Sequence, residues 1–182
     1  LISGPVDLPE PPGVDVIRVT TAEEMYDATH RVIGNADIFI AAAAVADYRP
    51  ATVSGQKIKK TREDMTIELI RCPDILASVA ALAGGPFTVG FAAETHNVDD
   101  YAQGKLENKK LDMIIANEVG VDLGFDRDEN AVSVFWKDGE RRFPTTDKSA
   151  LANELVELVV DRYYAARGSD TQPRLTVIST TD

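Results

Sequence analysis

The strongest constraint on this chain is an alternation of two patterns. Short, predominantly apolar runs are followed by segments whose apolar residues recur every three or four positions. Residues 14–19 are rich in β-branched side chains, and residues 36–42, 87–91 and 111–116 carry almost no polar side chain on either face. A strand with two apolar faces is stable only when both are covered, and helices of ten residues or so between such strands supply that cover through right-handed crossovers.

The expected fold class is therefore α/β, a Rossmann-like three-layer domain with a mainly parallel sheet, plus a C-terminal hairpin and helix. Thr21 followed by Ala22, Glu23 and Glu24 predicts an N-cap and an acidic first turn for a helix running to Val32. Residues 73–82 and 99–110 predict two more helices. Residues 132–136 and 141–143 flank Asp138-Gly139, a hairpin whose glycine is expected to supply positive-φ turn chemistry at one sheet edge. From 147 to 166, Leu151, Leu155, Leu158, Val159 and Tyr163 form a helical stripe that closes the domain. Leu1-Ile2 reads as the end of a strand and the chain as part of a longer polypeptide. The expected organisation is one domain over residues 1–166, a long polar flap at about 50–66, and a tail, 167–182, that is either disordered or one further short strand.

Composition narrows the function classes. A chain of 182 residues with 44 % hydrophobic content can bury one sizeable core. The net charge of −11 argues against broad binding to nucleic acid or anionic membrane. The single cysteine, Cys72, excludes an intrachain disulfide framework, and with His30 and His96 alone beside it a Cys/His zinc site is not expected. No apolar run is long enough for a spanning helix, so a cytoplasmic protein is expected.

Candidate chemistry gathers at the ends of the predicted strands, where ligands of open α/β sheets bind. Ala41, Ala42, Ala43 and Ala44 would let backbone groups approach a flat ligand; the bland alternative is tight helix packing. Asp47 follows, and then Lys57, Lys59, Lys60 and Arg62 crowd positive charge onto the flap of an otherwise acidic chain. A polyanion such as a triphosphate would relieve that repulsion, and Lys57 is the expected catalytic residue, neutralising charge on a departing pyrophosphate. Pro73 and Asp74 begin a helix, with Ile75 and Leu76 in its first turn, and free N–H groups there could contact a nucleotide, although capping alone explains Asp74 equally well. Phe91, read as a strand end beside small residues, could stack on a base. Lys105 and Lys109 lie at i, i+4 on one helical face, where a shared anion would offset their repulsion. Cys72, His30 and His96 read as structural residues.

Taken in order, AAAVADYRP, KIKK, CPDIL, GFAAET and IIANEV resemble the bacterial phosphopantothenate-cysteine ligases of coenzyme A synthesis. The resemblance runs from Ser3-Gly4-Pro5 to about Ala166. It implies nucleotide contacts at Ala41, Ala42, Ala43, Asp47, Lys57, Pro73, Asp74, Ile75, Leu76, Phe91, Lys105 and Lys109, and no protein metal ligand. It implies CTP rather than ATP, because the lysine-rich flap is the bacterial feature, with Mg²⁺ carried by the triphosphate. It also implies a homodimer acting on small molecules, not on nucleic acid or membrane. The family's Asn-Ser-Ser-Gly segment and first strand are absent, so the acyl-transfer half of the site is expected upstream of Leu1, as is an FMN-dependent decarboxylase domain. This stretch is then expected to be inactive alone.

The reaction so implied joins 4'-phosphopantothenate to L-cysteine, cleaving CTP to CMP and pyrophosphate through an acyl-cytidylate. Two other readings compete. Tyr101 and Lys105 match the Tyr-x-x-x-Lys pair of short-chain NAD(P) dehydrogenases, though no glycine-rich dinucleotide fingerprint accompanies them. A non-catalytic nucleotide-binding module is the other.

Overall fold

The structure, a computed structural model, describes residues 1–59, 63–94, 97–118 and 129–168. Lys60, Arg62, His96 and the tail beyond Gly168 lie outside the described residues. The chain divides into two compact units, one formed by Leu1–Asp37 and Ala41–Pro86, the other by Ile38–Ile40 and the chain from Phe87 onward.

In the first unit, β1 (Ile2–Ser3) pairs in parallel with β2 (Ile17–Arg18), so the strand expected over 14–19 is reduced to two residues. Helix α1 (Ala22–Val32) begins as its sequence predicts. The Glu24 N–H donates to Thr21 Oγ1 at 3.1 Å, while Glu24 Oε2 accepts from the Thr20 and Thr21 N–H groups at 2.6 and 3.2 Å. This capping box satisfies donors that the first helical turn would otherwise leave open. A 3-10 turn, Ile33–Asn35, follows. Helix α2 (Ile75–Ala80) is capped by Asp74, whose Oδ1 accepts from the Ala77 N–H at 3.0 Å. The two helices are joined by His30 Nε2 and Ser78 Oγ, 2.8 Å apart. Since Ser78 gives its own proton to the Ile75 carbonyl, His30 Nε2–H is the donor in that pair. His30 is thus the structural residue expected, with the Tyr26 ring 4.3 Å away.

In the second unit, one sheet runs in the order β3 (Ile38–Ala41), β6 (Phe87–Glu94), β7 (Met113–Glu118), β8 (Glu129–Trp136), β9 (Gly139–Asp147). Between β3 and β6 in sequence lie β4 (Tyr48–Pro50) and β5 (Leu69–Arg71), an antiparallel ribbon of the first unit. Strands β6 and β7 are parallel, and the β8–β9 hairpin extends the sheet antiparallel to them. The connection from β6 to β7 is helix α3 (Val98–Asn108), and α4 (Lys148–Arg167) ends the described chain. The strand predicted over 36–42 was expected to be buried. Among the described residues it is an edge strand with β6 as its neighbour, Ile38 and Phe39 partly covered and Ile40 exposed.

Alternation sorts the core into two layers. Val89, Met113, Ile115, Val132 and Val134 lie under Leu151, Leu155, Leu158 and Val159 of α4, the predicted stripe. Ala92, Ile114 and Phe135 have the opposite parity and face α3, which buries Ala102 and Leu106. The sheet between α3 and α4 gives the three layers expected. At the start of the parallel pair, Asp112 Oδ2 accepts from the Thr88 N–H at 2.7 Å and from its hydroxyl at 2.9 Å, while the Asp112 N–H returns a bond to the Thr88 carbonyl at 3.2 Å.

The hairpin forms where predicted, but its glycine serves another purpose. None of Lys137, Asp138 or Gly139 has positive φ. A Cβ on Gly139 would sit 2.9 Å from the ring of Trp136, its direct cross-strand partner, so glycine is needed for close approach. The indole packs against the α4 core, with the Arg162 guanidinium 5.1 Å from its centroid.

Gly139→Ala is expected to displace the Trp136 ring and cost about 1–3 kcal/mol, read as a lowered melting temperature with a shift in tryptophan emission. The Thr20 and Thr21 N–H groups hold the Glu24 carboxyl below the usual glutamate range. A lowered folded-state pKa stabilises above the unfolded-state value, about 4.3, and that stability is lost as pH falls through the folded-state value. Glu24→Gln should therefore melt below wild type at neutral pH, and the two melting curves should converge in acid.

Candidate functional site

Ala41 ends β3, and the chain then runs without regular structure to Asp47. Ala42, Ala43 and Ala44 are exposed, so these alanines are not spacers packed into a core; they present bare backbone. The Asp47 carbonyl accepts the Cys72 N–H at 2.8 Å. That bond places two motifs distant in sequence, the one ending at Asp47 and the one beginning at Cys72, side by side.

From there Tyr48 pairs with Arg71, Arg49 with Ile70 and Pro50 with Leu69, and the Ala51 N–H reaches the Glu68 carbonyl at 2.8 Å. The polar insertion is therefore rooted in a short ribbon that the sequence reading left as loop. Strands of three residues are too short to show alternation, and theirs are largely exposed. Lys57 and Lys59 are both exposed on the segment this ribbon carries. Arg49 of β4 makes an ion pair with Glu23 of α1.

Pro73 and Asp74 are exposed at the start of α2, Ile75 is buried and Leu76 partly so. The Asp74 carboxylate is engaged as the α2 cap, which realises the capping role. Cys72 is a free, partly buried thiol. In the first unit the Asp47–Cys72 bond thus ties the segment that follows Ala41, Ala42 and Ala43 to the chain entering the turn at Pro73, and Lys57 lies on the segment that the ribbon carries.

Phe91, Lys105 and Lys109 belong to the second unit. Phe91 was expected to end its strand, but β6 continues to Glu94, because its ladder with β7 extends through the Glu94–Glu118 pair. Phe91 shares parity with Phe87 and Val89 on the α4 side, yet it is 41 % exposed. Two residues further along the same face, Ala93 stands opposite Asn117 of β7. The side-chain carbonyl oxygen of Asn117 is shielded from solvent and, among the described residues, has no hydrogen-bond partner. An orphaned acceptor costs about 1–3 kcal/mol, and one beside an exposed aromatic at strand carboxyl ends suits a ligand donor. This asparagine lies within the IIANEV motif and is not among the site residues the sequence suggests. The available signal was a polar side chain at the carboxyl end of an otherwise apolar parallel strand.

Lys105 and Lys109 are both partly buried on or just after α3, with the Lys109 N–H bonded to the Lys105 carbonyl at 3.0 Å. Helix α3 covers the face opposite to that of Phe91, so the structure does not bring the lysine pair and Phe91 onto one surface. Tyr101, 47 % exposed one turn before Lys105, has the dehydrogenase spacing and no further feature of such a site. Among the described residues, no three His, Cys, Asp or Glu side chains gather as a metal-ligand set, and no helix is long and apolar enough to cross a membrane.

Residues 1–163 match the family described as DNA/pantothenate metabolism flavoprotein C-terminal domain. The chain is 50 % identical over 163 residues to the coenzyme A biosynthesis bifunctional protein CoaBC of Vibrio vulnificus, covering 87 % of this chain and 41 % of that protein. Against CoaBC of Escherichia coli K12 it is 47 % identical over 168 residues, covering 90 % of this chain and 41 % of the relative. It therefore spans about two-fifths of the length of these curated relatives. The crystal structure of the C-terminal domain of a CoaBC protein superposes with a TM-score of 0.73 at 32 % identity, over 92 % of this chain and 74 % of that one. A DNA/pantothenate metabolism flavoprotein from Streptococcus pneumoniae, 19 % identical with a TM-score of 0.69, shares the fold. With a match that runs from the first residue into α4, this chain belongs to the DNA/pantothenate metabolism flavoprotein C-terminal domain family.

Proposed function

We propose that this chain is the ligase part of a coenzyme A biosynthesis protein, joining 4'-phosphopantothenate to L-cysteine at the expense of CTP. The observation that carries the proposal is the root of the flap. One backbone bond, from Cys72 to Asp47, ties the strand leading to Pro73 and Asp74 to the segment that follows the exposed alanines, and the same ribbon carries Lys57. The relatives, CoaBC proteins of coenzyme A biosynthesis, support this reading.

On this reading the phosphopantothenate carboxylate attacks the α-phosphate of CTP. Its carboxylate oxygen forms the new bond, pyrophosphate leaves with the electron pair of the broken one, and the cysteine amine then displaces CMP. The chain's own residues bind and orient the reactants, and no protein nucleophile is needed. Lys57 would neutralise charge growing on pyrophosphate, a role that an exposed lysine on a mobile stem can fill. Asn117 Oδ1 would accept from the exocyclic amine of cytosine, with Phe91 alongside for stacking; uracil offers a carbonyl there instead. Within the first unit Ala41, Ala42 and Ala43 would admit a nucleotide closely; in the second, Lys105 and Lys109 would offer charge to phosphate oxygens from the face opposite to that of Phe91. Mg²⁺ would be carried by the triphosphate itself, where it would add positive charge beside the departing pyrophosphate. The homodimer, the cytoplasmic location, the single domain over residues 1–166 and an FMN-dependent decarboxylase elsewhere in the polypeptide belong to the same proposal. The dehydrogenase reading draws no support from the relatives.

Lys57→Gln in the full-length protein should lower CMP release from CTP, phosphopantothenate and cysteine on the order of 10²- to 10³-fold, with the melting temperature unchanged. Wild-type turnover in that variant would overturn the assignment.

A further inference from the structure

The segment carrying Lys57 hangs from a ribbon that has little apolar hold on the rest of its unit. Tyr48 is 53 % exposed, Leu69 55 % and Ile70 37 %. The bonds at its root, Tyr48 to Arg71 through Pro50 to Leu69 and Ala51 to Glu68, close the ribbon on itself. They set its register and leave its orientation on the unit open.

Arg49 lies in the middle of β4 and forms an ion pair with Glu23, in the first turn of α1. Both side chains are about two-fifths exposed, and the two atoms that meet, Arg49 Nε and Glu23 Oε1, are out of water without making a hydrogen bond. A half-solvated pair of this kind adds little to overall stability, so what it contributes is orientation. Glu23 is well placed to act as an anchor. Its helix start is pinned by the Thr21–Glu24 capping box, and a carboxylate is favoured at a helix N-terminus. Arg49 also stands two residues from Asp47 and two from Ala51, the points at which the ribbon is tied at each end.

We propose that Arg49 is a positioning residue, whose ion pair with Glu23 seats the β4–β5 ribbon on α1 and thereby sets where the segment bearing Lys57 is presented. Its consequence for turnover rests on the role of Lys57 given above, but the seating itself does not. A purely structural ion pair would affect the stability of the whole unit. A seating pair affects the ribbon first, and affects catalysis only through Lys57.

The test uses the full-length protein with Arg49→Gln, Glu23→Gln and the double variant, followed by amide hydrogen exchange and by steady-state kinetics. The Ala51 and Cys72 amides should exchange at least tenfold faster in either single variant, with no further gain in the double. The Met25 amide of α1, bonded to the Thr21 carbonyl, should stay protected. In the kinetics, Arg49→Gln should lower kcat on the order of tenfold with KM for phosphopantothenate unchanged, and should have no added effect on a Lys57→Gln background. Wild-type exchange at Ala51 and Cys72, or equal loss of protection at Met25, would overturn the seating. Faster ribbon exchange with full additivity over Lys57→Gln would overturn the link to Lys57 and leave the reaction assignment standing. Activity retained in Lys57→Gln alone would instead count against that reaction assignment, with the exchange data still deciding the seating.

Discussion

Strands β6 and β7 must be covered on both faces, and much of the second unit is arranged to do it. Val89, Met113 and Ile115 need one apolar layer and Ala92, Ile114 and Ala116 another. Each large aliphatic side chain left in water would forfeit about 1.5–3 kcal/mol. That demand places α4 on one side and α3 on the other, and it lets the β8–β9 hairpin widen the sheet without adding a new layer. At one end of the parallel pair, Thr88 and Asp112 exchange hydrogen bonds that hold the register. Toward the other, on the α4 side, cover is thinner, and there Phe91 is exposed and the Asn117 carbonyl oxygen has no partner. The place where burial stops is the place where polar chemistry becomes affordable.

The first unit follows a different logic. Its helices are joined by the His30–Ser78 bond, and each fully buries an apolar side chain, Ala28 and Val79, whereas among the described residues its ribbon is held by backbone hydrogen bonds and the Arg49–Glu23 ion pair. Elements with few buried apolar contacts open at low free energy. For a segment that must admit a polyanion and then present a lysine to it, that weakness is useful, provided the root is oriented. Asp47, Arg49 and Cys72 sit at that root, which links the packing of the unit to the chemistry proposed for Lys57.

Much of this was legible beforehand because it depends on local or strongly periodic signals. The Thr21–Glu24 box, the α4 stripe from Leu151 to Tyr163 and the β8–β9 hairpin all declare themselves within a few residues. The ribbon did not, since strands of three residues carry no periodicity and their stability comes from pairing across a long insertion. Gly139 was read for its backbone freedom, when its actual constraint is the Trp136 ring on the neighbouring strand, a tertiary fact. For the site, the motifs name segments, but which faces those segments occupy depends on register. One residue of parity separates Phe91, on the α4 side, from Ala92, under α3. The same parity puts Asn117 beside Ala93, and no inspection of IIANEV alone would reveal a shielded oxygen without a partner.

The most direct measurement of the central claim is capture of the activated intermediate. Full-length protein incubated with phosphopantothenate and CTP, without cysteine, would be quenched and analysed by mass spectrometry. The account predicts phosphopantothenoyl-cytidylate with CTP and little corresponding adenylate with ATP, the cytidylate disappearing with CMP release once cysteine is added. Absence of any acyl-nucleotide while coupled product still forms, or equal accumulation with ATP, would contradict it.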